Sequence, residues 1–392
     1  MKSSDTCDFD KEVVSIFEGH ESTEILWQPR IEHWFNVNRV IGSLPTNFKG
    51  LSLAKIYELL NAYMRLYIFP DEVYGFRPPP YGEGGLQSPI KTCIDRRDEV
   101  VIKRLKEDGK KITTIYSTPR GSLLQVERSD KYGVAWYLTK YPITSVEDFR
   151  IMEDVLESIN YTFDIGLYLR LKDWLAGQGS IWACSPRSPL AKLIIELMGP
   201  ERTFKALFRN RKEVEEFMEI IERANFKWIK MIQSTPIKVV TIGDNLDVFL
   251  ISPRLFEKYC LEYYLQFCEK MHKAGKFVLV HADGRLKGLL PLIRQSGVDG
   301  VEAVTFKPVG DVTLEEVHRI FKDELVLVDG LPYNLFLRET CINELKKMTI
   351  KVVSAFSPRL ILGVSDELPP DGEIERIKFV SELLNHIRSN KN

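Results

Sequence analysis

Residues 276–304 read KFVLVHADGRLKGLLPLIRQSGVDGVEAV. An unbroken apolar run (276–281) is followed by a segment with helical spacing (286–295) and a second apolar run (298–304). Apolar residues on consecutive rather than alternate positions predict strands buried on both faces. Such strands separated by helices predict parallel pairing. The unit recurs outward in both directions. Toward the C-terminus it continues through strands ELVLVDG (324–330) and RLILGV (359–364). Helices are predicted there over 313–321, over 334–347 and from Asp371 to His386. Toward the N-terminus the strands are KVVTIG (238–243) and GSIWACS (179–185). The helices there cover 145–158, 188–199, 211–234 and 252–275, several opened by Ser or Ser-Pro and closed by Gly.

Six such strands suit either an open doubly wound sheet or a closed barrel. The length of 392 residues and the absence of GxGxxG after an early strand favour a (β/α)8 barrel of the TIM type. The first two barrel strands must then come from the N-terminal half. EILWQ (24–28) supplies one, and the other has no clear place, because 52–66 reads as an amphipathic helix. FRPPPYGEGG (76–85) reads as a loop. Residues 98–142 alternate with period two and predict a small antiparallel β insertion or flap. The expectation is one domain over 1–392: an α/β barrel with an N-terminal extension and this insertion.

Lys plus Arg total 54 and Asp plus Glu 55, so no net field draws the chain to nucleic acid or a membrane surface. No apolar run approaches the roughly 20 residues of a membrane span. The N-terminus lacks the apolar core of a signal peptide. The six cysteines are scattered without a CxxC pair, as reduced thiols would be. A cytoplasmic protein is expected.

In this barrel type the site lies where the strands end at their C-termini. Polar residues gather there: Asp244 and Asn245 after 238–243, His281 and Asp283 after 276–280, Glu302 in 298–304, Asp311 in the next loop, and Asp366 after 359–364. Asp244, Asp283 and Asp311 suit helix caps or turns equally well. Glu302 inside an apolar strand requires a partner or a raised pKa. His281 and Asp283, two apart on an extended segment, face one side. With Glu302 they are the expected catalytic set and the expected ligands of a divalent metal such as zinc. No Walker loop, HExxH helix or Ser/His/Asp order is present.

The run IGDNLDVFLISPRLFEKYCLEYYLQFCEKMHKAGKFVLVHADG (242–284) and the following VDGVEAV (298–304) resemble the second half of the uroporphyrinogen decarboxylase superfamily. Shared features are an acidic strand end, a Ser-Pro helix start and a His-x-x-Gly strand end. ACSPRSPLAKLIIELMG (183–199) and LILGVSDELPPDGEIERIKFVSELL (360–384) resemble further family segments. The resemblance covers 145–392, and loosely ILWQPR (25–30). It implies a barrel with a deep cleft and one of two chemistries. Decarboxylating members take a tetrapyrrole through an arginine-rich loop, of which Gln28-Pro29-Arg30 keeps one arginine. Val364 stands where their terminal His would be. Methyl-transferring members bind zinc through His-x-Cys and a later Cys. Here His281 matches, Asp283 replaces the first Cys, and Ser365 or Asp366 lies near the second. Other members use carboxylates and His without metal.

The expectation is a methyltransferase-like enzyme. Its methyl group would pass between a small substrate and a corrinoid protein or other acceptor. Arg30, Asp244, Asn245, Asp311 and Asp366 would contact substrate, with Arg30 meeting an anionic group. Glu302 is the expected general acid. A homodimer is a further expectation. The rivals are a uroporphyrinogen or related decarboxylase and a non-catalytic corrinoid- or tetrapyrrole-binding protein.

Overall fold

In the computed structural model, which describes residues 9–20, 25–70, 87–95, 99–107 and 109–389, all six apolar runs from residue 179 onward form strands. The predicted loop at 76–85 and Cys7 lie outside the described residues. In chain order the strands are β1 Leu26–Trp27, β2 Met64–Ile68, β3 Ile90–Ile94, β4 Val101–Glu107, β5 Lys111–Thr118, β6 Gly121–Ser129, β7 Trp136–Lys140, β8 Ile159–Phe163, β9 Gly179–Ser185, β10 Val239–Ile242, β11 Phe277–His281, β12 Gly300–Glu302, β13 Val326–Pro332 and β14 Leu360–Ser365.

Eight of them form one parallel sheet in the order β1-β14-β13-β12-β11-β10-β9-β2. Its two ends meet where the Tyr63 N–H donates to the Trp27 carbonyl at 2.9 Å. The sheet therefore curls into an eight-stranded barrel of the TIM type. Alternate side chains point inward. Leu26, Val239, Leu279, Val326, Val328 and Ile361 form the interior with Trp182 and Tyr67. The helix Phe9–Glu18 packs Phe9, Val13, Ile16 and Phe17 into the same cluster, closing the end where the strands begin. Phe17 stacks on Phe277 with ring centroids 4.9 Å apart. β4 to β7 make a four-stranded antiparallel sheet, and β3 pairs antiparallel with β8.

The missing second strand is β2. The helix predicted over 52–66 stops at Leu59, because Asn61 takes a left-handed backbone (φ 50°) and turns the chain into MRLYI. All five residues of that strand are buried. Three other helices differ from expectation. The one predicted over 252–275 breaks at Cys260 into Pro253–Tyr259 and Leu261–Lys273. Over 334–347 the chain forms a short 3-10 turn, Tyr333–Phe336, and the helix proper runs Ile342–Phe356. The 188–199 helix keeps an α-turn only to Lys192 and continues as a π-turn over Leu193–Leu197. A helix at Ile165–Leu175 was not foreseen. Among the described residues no helix is long and apolar enough to cross a membrane.

Candidate functional site

A cavity of about 310 Å³ opens at the end of the barrel where the strands finish. Its walls come from both halves of the chain: Arg30 after β1, Tyr67 of β2, Arg187 after β9, Asn245 after β10, His281 of β11, Glu302 of β12, and Asp366 and Glu367 after β14.

The centre is built by strand register. His281 and Glu302 are paired residues of neighbouring parallel strands, so their side chains share the inner face. The His281 Nδ1 lies 3.0 Å from the Glu302 carboxylate. That contact fixes the ring and turns Nε2 the other way, 3.9 Å from Asp283 and 3.9 Å from Asp366. Ligand atoms of His281, Asp283 and Asp366 all lie within 4.8 Å of one another. The third group within reach of Nε2 is thus Asp366. Glu302, expected as a ligand, stands behind the ring instead.

Glu302 is also not the raised acid expected. Burial alone would raise it. The hydrogen bond and charge of His281, then Arg65, outweigh burial and hold its carboxyl at about 2. The Tyr67 hydroxyl donates to its second oxygen. His281 is raised well above the ordinary range, because Asp366, Asp283 and Glu302 overcome the opposing effect of burial. Burial pushes Asp329 up to about 6 against Arg65, and Glu367 up to about 7 against Arg30. Asp329 and Glu367 were not chosen from the sequence; of the acids that were, burial raises Asp244.

Other expected residues divide by what holds them. Asn245 lines the cavity, donating to Asp283 at 3.4 Å and accepting from Arg187 at 2.9 Å. Arg30 pairs with Asp366 and lies 3.7 Å from Glu367. Asp244 is fully buried outside the cavity lining and accepts from the Ser188 N–H, the Ser188 hydroxyl and the Tyr264 hydroxyl. Asp311 accepts from the backbone N–H groups of Leu286 and Lys287, so it caps a turn away from the cavity. For Asp311 the turn alternative describes the geometry, whereas Asp244 caps no helix that follows it and is anchored in a buried network with Ser188 and Tyr264.

Sequence reasoning missed Arg65, Tyr67 and Arg187. Arg65 is 3 % exposed inside the barrel, 2.7 Å from Asp329 and 3.8 Å from Glu302. An arginine within MRLYI was a legible signal once that segment is a strand, since a buried cation requires partners. Arg187 follows the end of β9, the position rule already applied to the other strands.

A family model described as uroporphyrinogen decarboxylase (URO-D) matches residues 184–387. A methyltransferase from Methanosarcina mazei has a similar structure, with TM-score 0.59 and 11 % identity, over 97 % of this chain and 98 % of its own. At that identity the likeness concerns the fold. A B12-independent methionine synthase from Shewanella sp. W3-18-1, in complex with selenomethionine, aligns over 94 % and 97 % of the two chains at 11 % identity with TM-score 0.42. No curated protein matches the sequence.

Proposed function

The chain belongs to the uroporphyrinogen decarboxylase family, and within it we propose a methyl-transferring enzyme that acts on a small molecule. The observation that carries this reading is the outlook of His281 Nε2 toward Asp283 and Asp366, with Nδ1 held by Glu302. Moving a methyl group between heteroatoms requires the heteroatom's charge to be managed as the bond forms or breaks. One nitrogen and two carboxylates facing a common point suit that task.

The same donors fit a divalent cation. Tetrahedral bonds of about 2.0 Å require donors about 3.3 Å apart, so this set, 3.9 Å apart on its two His281 edges and within 4.8 Å overall, must close in around a bound ion. Two hard oxygens beside one imidazole suit zinc, manganese or iron rather than a thiolate-selecting metal. When bound, such a cation would act as a Lewis acid on the substrate heteroatom. The protein's part is orientation. Glu302 fixes the His281 ring, Asn245 steadies Asp283, and Arg30 steadies Asp366. The acceptor or donor of the methyl group would be a corrinoid carried by a partner protein, or another small acceptor.

The cavity argues against a tetrapyrrole substrate. Its 310 Å³ sits at the small end of the roughly 300–1,000 Å³ range of ligand pockets. A polycarboxylate also needs uncommitted arginines. Arg30 already faces two acids, and so does Arg65.

The test supplies free methylcobalamin and a small thiol. Methyl transfer yields the thioether and cob(I)alamin, read from the corrinoid absorbance. Wild-type protein loaded with zinc is expected to accelerate it and His281→Ala to abolish the gain. An unchanged rate in His281→Ala would overturn the reading, as would carbon dioxide release from uroporphyrinogen.

A further inference from the structure

We propose that Arg187 is an anion-recognition subsite, and that the substrate carries one compact anion such as a carboxylate a short chain from its reacting atom. This rests on the cavity being a small-molecule site and is independent of which group is transferred.

The cavity is polarised. Its His281 end is crowded with carboxylates, whereas the wall after β9 carries two cations around one acid. Glu196 lies 3.1 Å from Arg187 and 3.2 Å from Lys192, so this acid is shared between them. Arg30, expected from sequence to meet an anion, is instead matched by Asp366 and Glu367. Arg187 is therefore the cation of this cavity best placed to attract an anion. Its side chain is 15 % exposed and within reach of a ligand, while that of Lys192 is 3 % exposed.

The loop is built to hold that guanidinium still. Asp244, wholly buried, accepts from the next residue's N–H at 2.9 Å and from its hydroxyl, and is itself bonded by Tyr264 at 2.8 Å. Asn225 donates to the Arg187 carbonyl at 2.9 Å. Two of the five guanidinium N–H groups are used, by Glu196 and Asn245; the other three can serve a planar carboxylate.

Asn245 also measures the ligand. It accepts from Arg187 at 2.9 Å and donates to Asp283 at 3.4 Å, so one side chain separates the anion subsite from the His281 corner. A molecule bridging the two is short.

The test measures binding by saturation-transfer NMR, using methoxyacetate and its neutral counterpart methoxyacetamide. Wild-type protein is expected to bind the anion at least about tenfold more tightly. Arg187→Gln should bring methoxyacetate down to the level of the amide and leave the amide unchanged, and Arg187→Lys should restore part of the difference. In wild-type protein, sulfate should displace methoxyacetate and not the amide, a readout that survives if a variant fails to fold. Equal binding of the two probes overturns the proposal, and so does a loss confined to Arg30→Gln. No methyl transfer is read, so failure here and failure of the methyl-transfer reading are separate results.

Discussion

At the scale of single residues, Glu302 lines the cavity as its strand position implies, yet it is held ionised where a raised acid was expected. Its place in an apolar strand marked it, but sequence could not say that His281 and Arg65 would converge on it and keep it ionised. Its predicted effect is therefore on the ring of His281. Glu302→Gln keeps the shape but removes the charge that orients the imidazole, and should weaken zinc binding about 10–100-fold by isothermal titration. An unchanged affinity would place Glu302 outside the metal-holding machinery. A second residue gives a pH signature far from the cavity. His272 lies 2.9 Å from Asp299, and that hydrogen bond raises its pKa. A group with a raised folded pKa stabilises fully below its unfolded value and loses that contribution as pH rises through the folded value. Urea titrations should thus show His272→Gln more damaging at pH 5.5 than at pH 9. An equal loss at both would mean the bond does not depend on charge.

At the scale of elements, the six later strands were legible because each is a continuous apolar run lying between segments of helical spacing, several of them with cap residues. The second barrel strand was not, because its residues follow a helix closely. Leu59, Leu60 and Tyr63 sit at spacings that continue the helical pattern past its true end. Only the left-handed turn at Asn61 separates the two elements, and propensity does not reveal such a turn. That misreading concealed Arg65 and Tyr67 together. The helix Phe9–Glu18 was likewise invisible in its role, since filling the barrel's base is a tertiary property. Phe17 is 5 % exposed and stacked on Phe277. Phe17→Ala should cost about 3–5 kcal/mol in denaturant unfolding, the range for truncating a buried aromatic. A loss below about 1 kcal/mol would mean that the helix is merely laid against the barrel, not part of its interior.

At the scale of the whole molecule, the site is a consequence of closure. Arg30 and Asp366, which meet at the cavity, are 336 positions apart, and His281 and Asp283 arrive from the stretch between them. A ligand held by His281, Asp283 and Asp366 therefore ties together the ends of β11 and β14, which converge only in the folded barrel although two strands separate them in the sheet. Anything that binds the folded chain alone adds RT ln(1 + [L]/Kd), about 2.7 kcal/mol at one hundred times Kd. For a chain of 392 residues that is a rise in Tm of about 3 °C, at roughly 1.2 °C per kcal/mol. Zinc added to chelator-treated protein should give that rise at pH 7.5. The rise should shrink as the pH falls toward 5, because protons compete for the same nitrogen and oxygens. Asp283→Asn with Asp366→Asn should melt near the metal-free wild type and gain nothing from zinc. If the double variant gained as much as wild type, zinc would be binding elsewhere on the surface, and the carboxylates around His281 would be left to act on the substrate without a metal.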